Sequence, residues 1–136
     1  MFGEKPIIGH VEYKMDSKSR LFIPPFTYGE EGDELYARTY KSKTGAHVLE
    51  IMSVEEYKNE IQDLRNVISN ATTAEELEKA KYKLKMLYFK LTASFTISNQ
   101  KRITIPSYLM DNLNWENEEY YKLDGAGSSL IISPKK

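Results

Sequence analysis

The chain repeats itself. Met15 to Pro24 (MDSKSRLFIP) and Ile97 to Pro106 (ISNQKRITIP) match at a constant separation of 82 residues, with Arg20 on Arg102, Leu21 on Ile103, Ile23 on Ile105 and Pro24 on Pro106. The match extends upstream without a gap, where Val11, Tyr13 and Met15 meet Ala93, Phe95 and Ile97. Downstream the same separation places Gly45 on Gly127, Val48 on Leu130 and Leu49 on Ile131. A duplication restricts the fold more than composition does, because both copies must adopt one supersecondary unit.

Each copy reads as β structure. Alternation of apolar and polar residues predicts a first strand at about 8–15, a polar turn at Asp16–Ser19 and a short strand at 20–23 ended by Pro24. A short helix or turn, a strand near 35–39, a turn at 43–46 and a strand at 47–52 complete the copy. The second copy predicts strands at 89–97 and 102–105, a helix at 107–113, and strands at 119–123 and 130–133. Asp124, Gly125 and Gly127 are expected to supply the positive φ angles of a tight turn. A unit of under about 50 residues buries too little surface to be stable alone, so the copies are expected to pack together as an intramolecular pseudo-dimer.

The segment between them differs in kind. Ser53 with Glu56, and Thr73 with Glu76, form two capping boxes. Val54, Tyr57, Ile61, Leu64 and Ile68, then Leu77, Ala80, Leu84, Leu87 and Leu91, recur at spacings of three and four. That pattern predicts an αα-hairpin whose stripes pack on each other and on the β core, or alternatively between subunits.

The tips of the two polar turns gather cations and neutral hydrogen-bonding side chains. Asp16-Ser17-Lys18-Ser19-Arg20 follows Lys14, and its counterpart is Ser98-Asn99-Gln100-Lys101-Arg102. Arginine suits bidentate contact with phosphate or a guanine edge, and lysine suits phosphate as a point charge. Asn99 and Gln100 can pair with adenine edges, and they equally suit any turn. Asp16 reads as an orienting residue that caps its turn and pairs with Arg20. Arg38, Lys41 and Lys43 form a second basic cluster that reads as a solvated hairpin.

The element D-x-K-x-R, then an apolar residue, one more, and I-P, here Asp16, Lys18, Arg20, Leu21, Ile23 and Pro24, resembles the hallmark of the MraZ family. That family belongs to the wider SpoVT–AbrB swapped-hairpin class. Copy two keeps Arg102, Ile103, Ile105 and Pro106, and the resemblance spans residue 8 to about residue 133. Ser19 and Lys101 stand where the family usually has glycine, and Ser98 replaces the aspartate of copy two. The resemblance implies an α+β chain of two tandem swapped-hairpin β modules, 1–52 and 92–136, with a helical hairpin at 53–91. It also implies a ring-type homo-oligomer that binds repeated short boxes in double-stranded DNA and regulates transcription, with Arg20 as a DNA contact. The expected binding set is Arg20, Lys18, Lys14, Ser17, Arg102, Lys101, Asn99 and Gln100, with Asp16 orienting. The alternative is an oligomeric interaction or antitoxin-like protein of the same fold with weak or lost DNA binding.

Composition bounds the rest. Net charge is −1, so any basic footprint must be local. No cysteine is present, which removes disulfides and thiolate metal sites. His10 and His47, the two histidines, form no metal-ligand pattern, and no phosphate loop or nucleophile elbow is present. Glu30, Glu31, Asp33 and Glu34 read as a solvated run rather than an acid–base pair. The expectation is a cytoplasmic, nucleoid-associated protein with no catalysis, cofactor, metal, membrane or small-molecule substrate.

Overall fold

The computed structural model describes residues 1–135, except for the side chain of Thr92. It is a mixed α+β structure built on antiparallel sheets. The strands are β1 (His10–Lys14), β2 (Arg20–Phe22), β3 (Glu34–Lys41), β4 (His47–Ser53), β5 (Leu91–Thr96), β6 (Arg102–Thr104), β7 (Tyr120–Gly125) and β8 (Leu130–Pro134). The helices are α1 (Val54–Ser69), α2 (Ala74–Lys90) and α3 (Ser107–Leu113), and a single 3-10 turn covers Pro25–Thr27. Helix α2 therefore runs through Phe89 and Lys90, which the sequence pattern assigned to the following strand.

Six strands form one sheet in the order β1-β7-β8-β4-β3-β5, and β2 pairs with β6 in a separate ribbon. The repeats interleave: β1 of the first pairs with β7 of the second, and β5 of the second pairs with β3 of the first. At the centre of the ribbon Leu21 lies directly opposite its counterpart Ile103. The sheet order reads the same from either end once each strand is exchanged for its counterpart.

The separation of 82 residues does not persist along the whole chain, which corrects the ungapped alignment. Val11 faces Leu123 and Tyr13 faces Tyr121, whereas Ala93 faces Ala37 and Phe95 faces Leu35. Tyr121 thus stands in the place of Leu35 and Leu123 in that of Ala37, a separation of 86. The left-handed residues agree, since Tyr28 (φ 62°) matches Asn114 (57°) and Gly32 (86°) matches Glu118 (65°). Helix α3 adds four residues where the first repeat makes only a 3-10 turn. In the last strands Ile51 pairs with Leu130 and Leu49 with Ile132, so Leu49 corresponds to Leu130 and Ile51 to Ile132, a separation of 81. The longer β3–β4 hairpin absorbs the difference, and Gly45 and Gly127 are loop glycines of like φ in turns of unlike length.

The turn chemistry of the last hairpin also differs from expectation. Asp124 and Gly125 belong to β7, and Gly127 alone of the three has positive φ. Gly125 serves close approach instead: a Cβ there would lie 2.3 Å from the Ile7 carbonyl oxygen.

The main core lies between one face of the sheet and the β2–β6 ribbon, α3 and the N-terminal segment, with Leu21, Ile103, Leu49, Ile51, Leu109, Leu123 and Ile132 buried. Every fully buried aliphatic side chain contributes on the order of 1.5–3 kcal/mol. Helices α1 and α2 cover part of the opposite face, where Tyr57, Ile61, Leu84, Leu87 and Leu91 meet Met52 and Tyr36 in a second cluster. Ser53 and Thr73 cap these helices through the amides of Glu56 and Glu76, as the capping boxes predict. No helix among the described residues is long and apolar enough to cross a membrane.

Arg38 is not part of a solvated hairpin. Its side chain is 14% exposed and bonds Glu50 through Nε at 2.7 Å and Glu60 through Nη1 and Nη2 at 2.8 and 3.1 Å. Ser129 donates to the other Glu50 oxygen at 2.7 Å. The network ties α1 to the sheet. Burial pulls the Arg38 guanidinium down, and the bonds it donates to Glu60 and Glu50, with their negative charges, reverse this, leaving it above its ordinary value. Lys41 and Lys43 remain exposed.

Candidate nucleic-acid interface

The two polar turns have one backbone design. In the first, the Asp16 amide donates to the Arg20 carbonyl at 3.1 Å and the Ser19 amide to the Asp16 carbonyl at 3.2 Å. In the second, Ser98 and Arg102 make the same pair at 3.0 Å, and Lys101 bonds Ser98 at 2.9 Å. Asp16 Oδ1 accepts the amides of Lys18 and Arg20, both at 2.9 Å. Ser98 Oγ accepts those of Gln100 and Arg102 at 3.3 and 3.2 Å. A hydroxyl can therefore do the turn-forming work of the carboxylate. The residue before each arginine is left-handed, Ser19 at φ 61° and Lys101 at 57°. Glycine adopts this backbone conformation without the strain that a Cβ brings.

The ribbon brings the arginines together. Arg20 sits opposite Thr104 and Arg102 opposite Phe22, on the face of the ribbon away from buried Leu21 and Ile103. Arg20 Nε donates to Asp16 Oδ2 at 2.6 Å, and Arg102 Nη1 approaches the same oxygen at 3.5 Å. One carboxylate of the first repeat thus serves an arginine from each repeat. The Arg102 guanidinium lies 5.5 Å from the centre of the Phe22 ring, and its buried Nε has no hydrogen-bond partner among the described residues. Arg20 is 33% exposed along its side chain and Arg102 20%, so neither is sealed. Partial desolvation pushes the Asp16 carboxyl up, but the Arg20 amide and side chain, the Lys18 amide and the Arg20 charge outweigh it, leaving the carboxyl below its ordinary value of 3.8.

Lys18, Ser17, Asn99, Gln100 and Lys101 are exposed on the two tips. Lys14 is exposed as well, but on the opposite face of β1 from Tyr13, whose ring meets Phe22. It projects away from the arginine pair.

Sequence reasoning missed a brace. Asn117, in the segment between α3 and β7, donates to the Ser17 carbonyl at 3.1 Å and accepts from Ser19 Oγ at 2.5 Å. Each tip also leans on the loop preceding the strand that pairs with it, Met15 on Glu118 and Glu119, and Ile97 on Gly32 and Asp33. Nothing local in the sequence links residues so far apart. Another missed feature was legible: from Lys79 to Met110 the chain contains no acid and seven cations, Lys79, Lys81, Lys83, Lys85, Lys90, Lys101 and Arg102. The acids concentrate elsewhere. Glu30, Glu31 and Glu34 lie in the loop and strand start beside the second tip, and Glu116, Glu118 and Glu119 beside the first.

The two histidines hold no metal-type cluster, and no group of three or more potential ligands is found among the described residues. His10 Nδ1 meets Asp124 at 2.5 Å on the surface, and the His47 carbonyl accepts Trp115 Nε1 at 3.3 Å. No protein-family model matches the chain, and no curated protein matches it.

Proposed function

We propose that the chain is a DNA-binding transcription regulator of the MraZ type, in which two SpoVT–AbrB swapped-hairpin modules, 1–52 and 92–136, form an intramolecular pseudo-dimer around the helical hairpin. The observation that carries this reading is the pair of arginines at matching places on adjacent ribbon strands, flanked by two exposed turns of one design. Such turns offer Arg20, Lys18, Ser17, Lys101, Asn99 and Gln100 to phosphates and base edges. The exchange of first strands between the repeats supports the swapped-hairpin assignment. A few cations on one chain bind DNA weakly, so assembly into a homo-oligomer on repeated boxes supplies affinity through effective concentration. The place of action is the nucleoid of the cytoplasm, and the reading involves no catalysis.

The test is fluorescence anisotropy with double-stranded DNA from the region upstream of the chain's own coding sequence, across salt concentrations. The expected log–log slope is about −0.9 per neutralised phosphate. Arg20→Ala should weaken specific binding by about 1–3 kcal/mol while the variant stays folded. Absence of binding at low salt would sink this reading.

The acidic loops beside both tips favour a second reading, an interaction or antitoxin-like protein whose tips no longer engage DNA. Under it the purified chain assembles but binds no DNA at any salt concentration.

A further inference from the structure

The two arginines are not held equally. Arg20 is fixed by a 2.6 Å bond from Nε, and no partner of its terminal nitrogens is found among the described residues. Arg102 reaches the same carboxylate oxygen only at 3.5 Å, through one terminal nitrogen, and its Nε is buried without a partner. A buried donor left unbonded is costly, so this guanidinium has a standing demand for a better acceptor. Asp16 cannot follow it, because Oδ1 is pinned by two backbone amides. The second repeat shows that the turn itself needs no charge, since Ser98 makes the same two bonds with a hydroxyl. The turn therefore does not require the charge of Asp16, and the oxygen that the turn leaves free, Oδ2, is the one that faces both arginines.

We propose that Arg20, Arg102 and Asp16 form one oxyanion-exchange seat spanning both repeats, in which Asp16 is the resident counter-ion and an incoming tetrahedral oxyanion draws Arg102 away from it. Phe22 supports the guanidinium from one side, so the exchange moves the end of a side chain and leaves the backbone in place. The shared chemistry is that of a phosphodiester, a free phosphate or a sulfate. Binding of a phosphodiester here rests on the DNA reading; the seat itself does not.

Inorganic sulfate is the probe, titrated into the full chain against sodium chloride of matched ionic strength. The readout is the 15N-detected arginine Nε–Hε resonances, assigned with Arg20→Lys and Arg102→Lys. Sulfate should shift the Arg102 resonance saturably, and Asp16→Asn, which keeps the turn acceptor, should lower the half-saturating concentration about threefold or more, as expected for loss of a competing carboxylate. Arg102→Lys should abolish saturation while the protein stays folded by thermal unfolding. Unchanged sulfate affinity in Asp16→Asn, or a response that chloride reproduces, would overturn the proposal. A DNA titration in parallel separates the two claims: sulfate exchange without DNA binding leaves the seat standing and removes the regulator reading, whereas DNA binding without sulfate exchange removes only the seat.

Discussion

Ser19 and Lys101 occupy the same left-handed backbone position in the two repeats, at φ 61° and 57°, each immediately before an arginine. A Cβ in that region costs on the order of 1 kcal/mol. Lys101→Gly should stabilise the protein by about 0.5–1 kcal/mol, read as a higher urea midpoint with an unchanged m-value. Ser19→Gly should gain less, because it also removes the hydroxyl bond to Asn117. Destabilisation by Lys101→Gly would contradict the assigned turn.

Arg38 neutralises two carboxylates at a largely buried junction, so removing it strands both. Arg38→Ala should destabilise by about 2–4 kcal/mol, with Glu50 and Glu60 left uncompensated. Pairing it with Glu60→Gln should recover part of the loss, a coupling that a double-mutant cycle measures. An effect below about 0.5 kcal/mol would place Arg38 among ordinary surface charges.

Asn117 steadies only the first tip. Asn117→Ala should cost about 1 kcal/mol of stability and raise amide exchange at Ser17 to Arg20, while exchange at Asn99 to Arg102 stays unchanged. Equal loosening of both tips would rule out a local brace.

Asp16 makes stability depend on acid. Its folded value lies below 3.8, so its contribution is fully present above that value and is lost as the pH falls through the folded one. The stability advantage of the native chain over Asp16→Asn, measured by urea unfolding, should be constant at pH values well above 3.8 and shrink progressively as the pH falls below it. An advantage that grew on acidification would have the wrong sign.

Several features were readable before any coordinates. The alternation of Val11, Tyr13 and Met15, the I-P strand ends and the two capping boxes report local chemistry, and the strands and helices they predict are present. The repeat was found, but its register after Pro24 was not. An ungapped match of Leu49 to Ile131 survives on hydrophobicity alone, and only pairing to a third strand reveals the slip. Arg38 read as solvated because its partners lie on the neighbouring strand and on α1, 12 and 22 residues away. The sharing of Asp16 by Arg20 and Arg102 was equally invisible, since one of those contacts spans 86 residues.

The interleaved sheet has a consequence for synthesis. His10 finds its strand partner, Asp124, 114 residues later. A nascent chain emerging from the ribosome must hold its first strand unpaired until β7 has been made, so the first repeat cannot complete its part of the sheet on its own. Translation pauses before β7 should leave a protease-sensitive intermediate with an open sheet edge, and joining both repeats in one polypeptide keeps the missing strand within reach from the moment it appears.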